Sequence, residues 1–284
     1  MTAHELVART RNLPQIPAVA LKLVELLDEL ENNNVEIVEL VKSDAVLTTK
    51  LLRICNSSAF ALADVVSSVD QAVLLLGHSQ VLSLVLSLTF GGTMTGALPG
   101  YAIEVNGLWR HAFAAATAAE ILVNRGPAAP GMDASVAFTA GLLHDIGKLV
   151  MANELSAGTH AAIQKHMSGE GLGSIEAERE FLGTDHAEVG ACLLHIWRLP
   201  DAIVEAAANH HRPVLEPEPQ LSAITHVANR IAHLAEAEPD LAAYAFNGHE
   251  RVAQVFGLDA KEQGELVAGV RKSTVRAKEL LVMV

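Results

Sequence analysis

The second half of the chain carries a set of side chains that could bind metal, spaced at about one per expected helix. The set comprises His111, His144, Asp145, His186, His210 and His211, with Asn229 further along. An antiparallel helical bundle builds a metal site in its core from ligands of this kind, each taken from a different helix. Imidazole and carboxylate together suit Fe, Mn, Zn or Ni. The pattern therefore predicts a divalent transition-metal site.

Each of these residues also has a purely structural explanation. His111 stands near the start of its expected helix and could lie at the surface, and His186 comes one residue after an expected helix cap. His210 and His211 precede Pro213, and histidine is favoured at the carbonyl-rich end of a helix. The alternative to a metal site is a scaffold whose histidines and carboxylate satisfy one another by hydrogen bonds. Spacing alone leaves both interpretations open.

The stretch from Thr139 to Met151 is apolar except at His144, Asp145 and Lys148. Its apolar residues recur at helical spacing, which predicts a buried segment of one helix that begins at a cap at Asp133 or Ser135 and ends near 153. Burying an imidazole, a carboxylate and an ammonium together is costly unless they are paired, hydrogen-bonded or bound to a metal. This helix is the expected floor of the site.

The remaining pattern predicts an all-α fold, because no alternating strand period is present. Residues 1–12 are polar and predict a loose helix or arm, and Leu13–Pro17 is a rigid loop. Further helices are expected at about 18–30, 35–42, 45–55, 67–76, 79–90, 105–124, 157–167, 174–182, 186–197, 201–210, 221–236, 240–246, 249–256 and from 259 to near the C-terminus. Ser43-Asp44 and Ser67-Ser68 are the expected caps of two of them.

A glycine-rich loop at 91–100 is the best internal boundary. It divides a subdomain of short helices at about 13–92 from a second subdomain at about 101–213. Residues 214–284 are expected to form C-terminal helices that pack on the second subdomain.

Composition limits the partners and the cellular setting. The chain has 20 basic and 33 acidic residues, a net charge of −13, which argues against duplex nucleic acid or an anionic membrane as the main partner. The first residues lack the pattern of a signal peptide, and the longest apolar run, 81–90, is too short to span a bilayer. Two distant cysteines, Cys55 and Cys192, are expected to be free thiols. We therefore expect a soluble cytoplasmic protein.

Several motifs resemble one known family. Leu142-Leu-His-Asp-Ile-Gly-Lys148, with His186-Ala-Glu-Val-Gly190 after it, resembles the HD phosphohydrolase superfamily. Leu13–Pro17, Ser43-Asp44, Leu51–Ser57 and Val66–Gly77 resemble the HD-related output domain, HDOD, a branch related to HD-GYP phosphodiesterases. The similarity covers roughly residues 13–213. It implies a helical HD-superfamily-like bundle with an added N-terminal helical subdomain.

The resemblance also implies site residues, with three departures. HD enzymes hold one to three metal ions that generate hydroxide and neutralise a phosphate. The matching positions here are His111, His144, Asp145, His186, His210 and His211, and Lys148 matches a lysine that contacts the scissile phosphate. The final Asp of the pattern is Asn229 in this chain, the Gly-Tyr-Pro segment after the double histidine is missing, and Gly107 stands where three-metal members have a carboxylate.

Three functional hypotheses follow. The first is a bacterial signalling module that is not a catalyst, with or without a retained metal or small ligand. It would act through a sensor kinase, a response regulator or a diguanylate cyclase. The alternative is a metal-dependent phosphohydrolase or cyclic-dinucleotide phosphodiesterase, in which Lys148 is catalytic. The third is the metal-free scaffold.

Overall fold

The computed structural model describes residues 1–10, 18–25, 34–57, 60, 65–101, 103–125, 131–154, 174–213, 215, 221–236 and 250–281. These ranges are helical, apart from turns, loops and an isolated antiparallel bridge between Leu98 and Ile103. The predicted all-α fold class is confirmed. The predicted helices at 157–167 and 240–246 lie outside the described residues, as do the loop at 13–17 and the second part of the helix predicted at 18–30.

The described part of the first half contributes six short helices, four of which pack around a fifth. They are α1 (Ala3–Arg9), α2 (Ala18–Glu25), α3 (Asn34–Ser43), α4 (Ala45–Cys55), α5 (Val69–Leu76) and α6 (His78–Gly91). Helices α2, α3, α4 and α5 all contact α6. The run from Val81 to Leu88 in α6 is buried on every side, as expected for a helix that is apolar all round.

The second half places longer helices around α7. They are α7 (Gly107–Asn124), α8 (Ala134–Leu143), α9 (Gly147–Glu154), α10 (Ser174–Leu182), α11 (His186–Ile196), α12 (Asp201–Asn209), α13 (Leu221–Glu236), α14 (Glu250–Val255) and α15 (Ala260–Leu281). Helix α7 packs against α8, α13 and α15, and α6 contacts α8. Buried alanines along α7 allow these close approaches. None of the described helices combines the length and apolar character needed to cross a bilayer.

The N-terminal helix is more ordered than the polar sequence predicts. The side chains of Thr2 and Glu5 form a complete capping box, which satisfies the free amides at the start of α1. Leu6 and Val7 are buried, and α1 packs on α9 and α11. Residues 1–12 were expected to form a loose helix or arm. In the described residues 1–10 a helix does form, but it is packed rather than loose, because its two buried apolar side chains anchor it.

The single helix predicted from 133 to 153 is broken at the motif. Asp133 caps α8 as predicted, but α8 ends at Leu143, and α9 begins only at Gly147. The ring of His144 donates from Nδ1 to the Gly141 carbonyl at 2.8 Å, which a continuous helix would use for a backbone amide. The amides of Ile146 and Lys148 bond to carbonyls three residues back. The break therefore has a local cause: a side chain competes with the backbone for an acceptor.

Two glycines let neighbouring helices approach this turn. A Cβ atom at Gly147 would lie 2.5 Å from the Gly190 amide nitrogen of α11 and would also meet the His186 carbonyl oxygen. A Cβ atom at Gly141 would lie 2.8 Å from backbone atoms of α7. Real Cβ atoms do not sit this close to backbone, so only glycine permits these crossings. The crossings bring α7, α11 and the turn between α8 and α9 together.

Candidate metal centre

The turn between α8 and α9 places the Asp145 carboxylate at the centre of the polar cluster. Asp145 is 2% exposed. Its Oδ2 atom lies 3.4 Å from His144 Nε2 and 3.8 Å from His111 Nε2. Its Oδ1 atom lies 3.3 Å from His186 Nε2 and 3.7 Å from His210 Nε2. One carboxylate is therefore shared between two groups of histidines.

The potential metal ligands form two clusters. The first cluster comprises His111, His144 and Asp145, and the second comprises His186, His210 and His211. Within each cluster the ligand atoms lie within 4.8 Å of one another. Asp145 belongs to the first cluster through Oδ2 and faces the second through Oδ1, which is the arrangement expected for a carboxylate that bridges two ions.

The spacing of the donor atoms fits metal coordination. Donors held at about 2.1 Å from one ion stand about 3.0 Å apart at a right angle and about 3.4 Å apart at a tetrahedral angle. The Nε2 atoms of His186 and His211 are 3.0 Å apart, and His144 Nε2 is 3.4 Å from Asp145 Oδ2. The residues present therefore fit a divalent ion with little rearrangement.

Hydrogen bonds at the outer nitrogens fix the orientation of the rings. His144 donates from Nδ1 to the Gly141 carbonyl at 2.8 Å, and His210 donates to the Ala207 carbonyl at 2.7 Å. His186 Nδ1 faces the Glu178 carboxylate at 2.8 Å. When Nδ1 carries the proton of a neutral ring, Nε2 carries the lone pair. Each of these three Nε2 atoms points toward Asp145, which is how metal-binding histidines are held in proteins.

Two inward-facing nitrogens, His144 Nε2 and His210 Nε2, are buried without a hydrogen-bond partner. A third inward-facing atom, Asp145 Oδ1, has the imidazolium nitrogen His186 Nε2 at 3.3 Å as a neighbouring donor. A buried polar atom left unpaired costs about 1–3 kcal/mol, and native proteins tolerate few of them. Together with the Asp145 carboxylate, these electron-pair donors could hold a cation.

Electrostatics leaves most of these donors free of protons at neutral pH. Burial lowers the pKa of His144 to about 4. Burial and the neighbouring histidines lower the pKa of His210 well below its ordinary range, and they lower the pKa of His211 to about 2. Burial alone would raise the pKa of Asp145, but Lys148 and His144 hold it well below its ordinary value. These four side chains are in the state that a metal requires.

His186 is the exception. Burial opposes its positive charge, yet the Glu178 carboxylate raises its pKa to about 9. Without metal, His186 is therefore an imidazolium at neutral pH, and it donates from Nε2 to His211 Nε2 at 3.0 Å. An ion entering the second cluster must displace this proton.

Lys148 and an adjacent cavity complete the site. Lys148 Nζ donates to Asp145 Oδ2 at 2.6 Å, on the side of the first cluster. A cavity of about 660 Å³ opens there, and its wall includes Glu104, Arg110, His111, Asp145, Lys148 and Glu236. This volume is typical of pockets for small organic ligands. A small molecule in the cavity could reach both the lysine and the first cluster.

A family model for the HDOD domain matches residues 13–213, well over half of the chain. The chain belongs to the HDOD family. The fold agrees with solved structures that align over nearly the whole chain. An HDOD domain protein of unknown function from Geobacter sulfurreducens is 22% identical, with a TM-score of 0.74 over 99% of this chain and 95% of that chain.

Other relatives carry different names. A protein from Shewanella amazonensis SB2B, provisionally named a phosphohydrolase, is 23% identical, with a TM-score of 0.73 over 97% of both chains. A protein from Marinobacter aquaeolei VT8, provisionally named a signal transduction protein, is 22% identical, with a TM-score of 0.76 over 99% of this chain and 64% of that chain. At this identity the likeness shows the fold alone.

A curated relative is longer than this chain. The uncharacterized protein from Treponema pallidum (strain Nichols) is 27% identical over 235 residues, which are 80% of this chain and 43% of that protein. The HDOD chain thus spans less than half the length of this relative.

The structure brings every predicted site residue of the HDOD chain into one region. The two clusters hold six of them, Lys148 contacts Asp145, and Asn229 Oδ1 lies 2.9 Å from His111 Nε2. Sequence reasoning missed Glu178, His226, His233 and Glu236. The last three share a face of α13 with Asn229, at positions separated by three or four residues, and this spacing was a usable signal. Glu178 gave no such signal, because it contacts His186 across a turn between two helices.

Replacing Glu178 by Gln should lower the pKa of His186. The amide keeps the shape and a hydrogen bond but removes the negative charge, so burial then dominates and favours the neutral ring. We expect metal-free wild-type protein to titrate His186 near pH 9 and the variant to titrate it at a clearly lower pH, measured by NMR of the ring. Glu176→Gln, at an exposed position of α10, is the matched control. An unchanged pKa in Glu178→Gln would contradict the role given to this carboxylate.

Proposed function

We propose that this HDOD protein is a signal-transduction module that retains a divalent transition-metal site and acts through protein partners rather than by catalysis. One observation carries the metal part of the proposal: His144 Nε2 and His210 Nε2 are buried and unpaired, and both converge on the Asp145 carboxylate. A metal-free hydrogen-bonded scaffold would pair these atoms with donors. Fe, Mn, Zn and Ni all suit a site of imidazoles and one carboxylate.

The packing of the two halves supports a regulatory role. Helix α6 is the centre of the N-terminal group of helices, and it contacts α8. The C-cap residue of α8 is His144, a member of the first cluster. A change in metal occupancy that shifts His144 would therefore shift the end of α8, and α8 contacts α6 of the N-terminal group. This connection gives the site a physical route to a surface that a partner could recognise.

The makeup of the site favours a regulatory role over hydrolysis. The inward-facing ligands of the two clusters include one carboxylate, Asp145. The resemblance to HD enzymes assigns the final Asp of their pattern to Asn229, a neutral side chain that contacts His111. A neutral amide offsets none of the charge of a bound cation and is a weaker ligand than a carboxylate. Such a site is better suited to holding an ion for structure or sensing than to activating water.

Metal analysis of purified protein tests the proposal. Protein reconstituted anaerobically with Fe²⁺, Mn²⁺, Zn²⁺ or Ni²⁺ and then desalted should retain at least one of these metals at a fixed stoichiometry. His210→Ala removes a second-cluster ligand and should weaken affinity by more than the roughly 10–100-fold that loss of an outer hydrogen-bond partner of a ligand costs. His195→Ala, at an exposed position of α11, should behave as wild type. Circular dichroism of each variant checks that the fold is intact. Failure of wild-type protein to retain any of the four metals would refute the proposal.

The partners are proposed to be a sensor kinase, a response regulator or a diguanylate cyclase. Affinity capture with metal-loaded protein should recover one of these, and His210→Ala should recover less of it. Capture that yields none of the three classes in either state would contradict this part of the proposal.

Phosphohydrolase activity is a second candidate, favoured by one observation. The Lys148 ammonium lies at the wall of the cavity, 2.6 Å from Asp145 Oδ2, where it could contact a bound phosphate. When bound, the metal would supply activated water and charge neutralisation. The regulatory proposal predicts no metal-dependent turnover of aryl phosphodiesters, nucleotides or cyclic dinucleotides. Turnover with Mn²⁺ or Fe²⁺ that is lost in both Asp145→Ala and Lys148→Met would instead establish the enzyme.

A further inference from the structure

One face of α13 is directed at the metal centre, although the HDOD match ends before this helix begins. His226, Asn229, His233 and Glu236 follow one another at intervals of three or four residues, so they form a stripe along the helix. His226 donates from Nδ1 to the His210 carbonyl at 2.7 Å. Asn229 and Glu236 both contact His111, and the His233 ring lies 4.4 Å from the His111 ring.

The contacts hold His111 at both ring nitrogens. Glu236 Oε2 lies 2.9 Å from His111 Nδ1, and Asn229 Oδ1 lies 2.9 Å from His111 Nε2. An ionised carboxylate has no proton to give, so the His111 Nδ1–H group is the donor to Glu236. In a neutral ring Nε2 then carries the lone pair, and the contact at Asn229 is a hydrogen bond when the amide turns its NH2 group toward Nε2. With an ion bound, the same amide could instead turn its oxygen inward, 2.9 Å from His111 Nε2, a spacing suited to one shared ion.

Charge supplies the reason for this arrangement. Asn229 cannot contribute the negative charge that an aspartate would bring to the first cluster. A carboxylate that accepts from the outer nitrogen of a metal-bound histidine makes the ring a stronger ligand and places negative charge one step from the ion. Glu178 already has this relation to His186 in the second cluster, with Oε2 2.8 Å from Nδ1. In each cluster, therefore, a carboxylate lies at the outer nitrogen of one histidine.

We propose that Glu236 is a positioning residue that compensates, through His111, for the charge missing at Asn229. The proposal rests on the metal site of the proposed function. Glu236 would hold His111 in the Nδ1–H form before metal arrives and strengthen the binding of the ion afterwards. The compensation is specific: an aspartate at position 229 would make Glu236 largely dispensable.

Metal affinity in a double-mutant cycle tests the compensation. The variants are Glu236→Gln, Asn229→Asp and the double substitution, each titrated with Mn²⁺ and Zn²⁺ against a competing chelator. Glu236→Gln should weaken one binding step by about 10–100-fold and leave the other near wild type. In the Asn229→Asp background the same substitution should cost much less. Glu265→Gln, at a half-exposed carboxylate that pairs with Arg125, is the control and should bind as wild type.

Two outcomes of this cycle would overturn the proposal. Either Glu236→Gln binds both ions as tightly as wild type, or its loss of affinity is equally large in the Asn229→Asp background. The first result would make the contact incidental. The second would show that Glu236 acts independently of the charge at position 229.

A second readout needs no metal. Nitrogen NMR of metal-free protein should show His111 with its proton on Nδ1, and Glu236→Leu should shift the ring toward the Nε2–H form. Glu236 is partly exposed, with 33% of its side chain accessible, so this variant should fold. Wild-type protein that binds no metal would refute the proposed function, whereas a His111 ring that carries a proton on Nε2 and none on Nδ1 in metal-free wild type would refute the role of Glu236. The two failures are therefore distinguishable.

Discussion

The buried carboxylate of Asp145 is the constraint on which the rest of the site depends. Asp145 is almost inaccessible to solvent, and an uncompensated charge there would be prohibitively costly. Lys148 neutralises one side of the carboxylate. The other side faces two histidines. The pKa of His210 is too low for its ring to be protonated, whereas the raised pKa of His186 makes that ring an imidazolium. The broken helix at 144–146 and the glycine-permitted crossings serve to assemble this environment.

The same features support the proposal of a cation site. Outer hydrogen bonds to Gly141, Ala207 and Glu178 turn the inner nitrogens of three histidines toward Asp145. The rings are held before any ion binds, so little conformational entropy remains to be lost on binding. This arrangement costs free energy in the metal-free state, because it leaves buried electron-pair donors without a partner. Proton displacement from His186 makes the second cluster the more pH-sensitive of the two.

Much of the fold was predictable from local pattern, and the exceptions have physical causes. Helix spacing and capping residues such as Asp44 and Ser68 are local signals, and both caps form as expected. The break after Leu143 was missed because the apolar period continues through it, while the cause is one side-chain hydrogen bond. The packing of the N-terminal helix was not predicted, because it depends on contacts with α9 and α11, which are distant in sequence.

In the candidate site, too, some residues could be predicted from the sequence and others could not. Residue types and the HD-like motif were enough to nominate the inward-facing ligands, and the structure places them together. Glu178 and Glu236 were not nominated, because their importance comes from which histidine nitrogen they contact. Helix α13 illustrates the point: its polar stripe was visible in the sequence, but only its packing on α7 shows that the stripe reaches His111.

The central claim is that a metal ion belongs between the imidazoles around Asp145. The most direct test is anomalous X-ray diffraction from crystals of protein loaded anaerobically with Fe²⁺ or Mn²⁺, collected on either side of the metal absorption edge. We predict an anomalous peak within coordination distance of Asp145 and of at least two of the histidines. A second peak on the other side of the carboxylate is predicted if both clusters fill. Well-ordered crystals with no peak among these residues, under conditions where the metal is present in solution, would contradict the account.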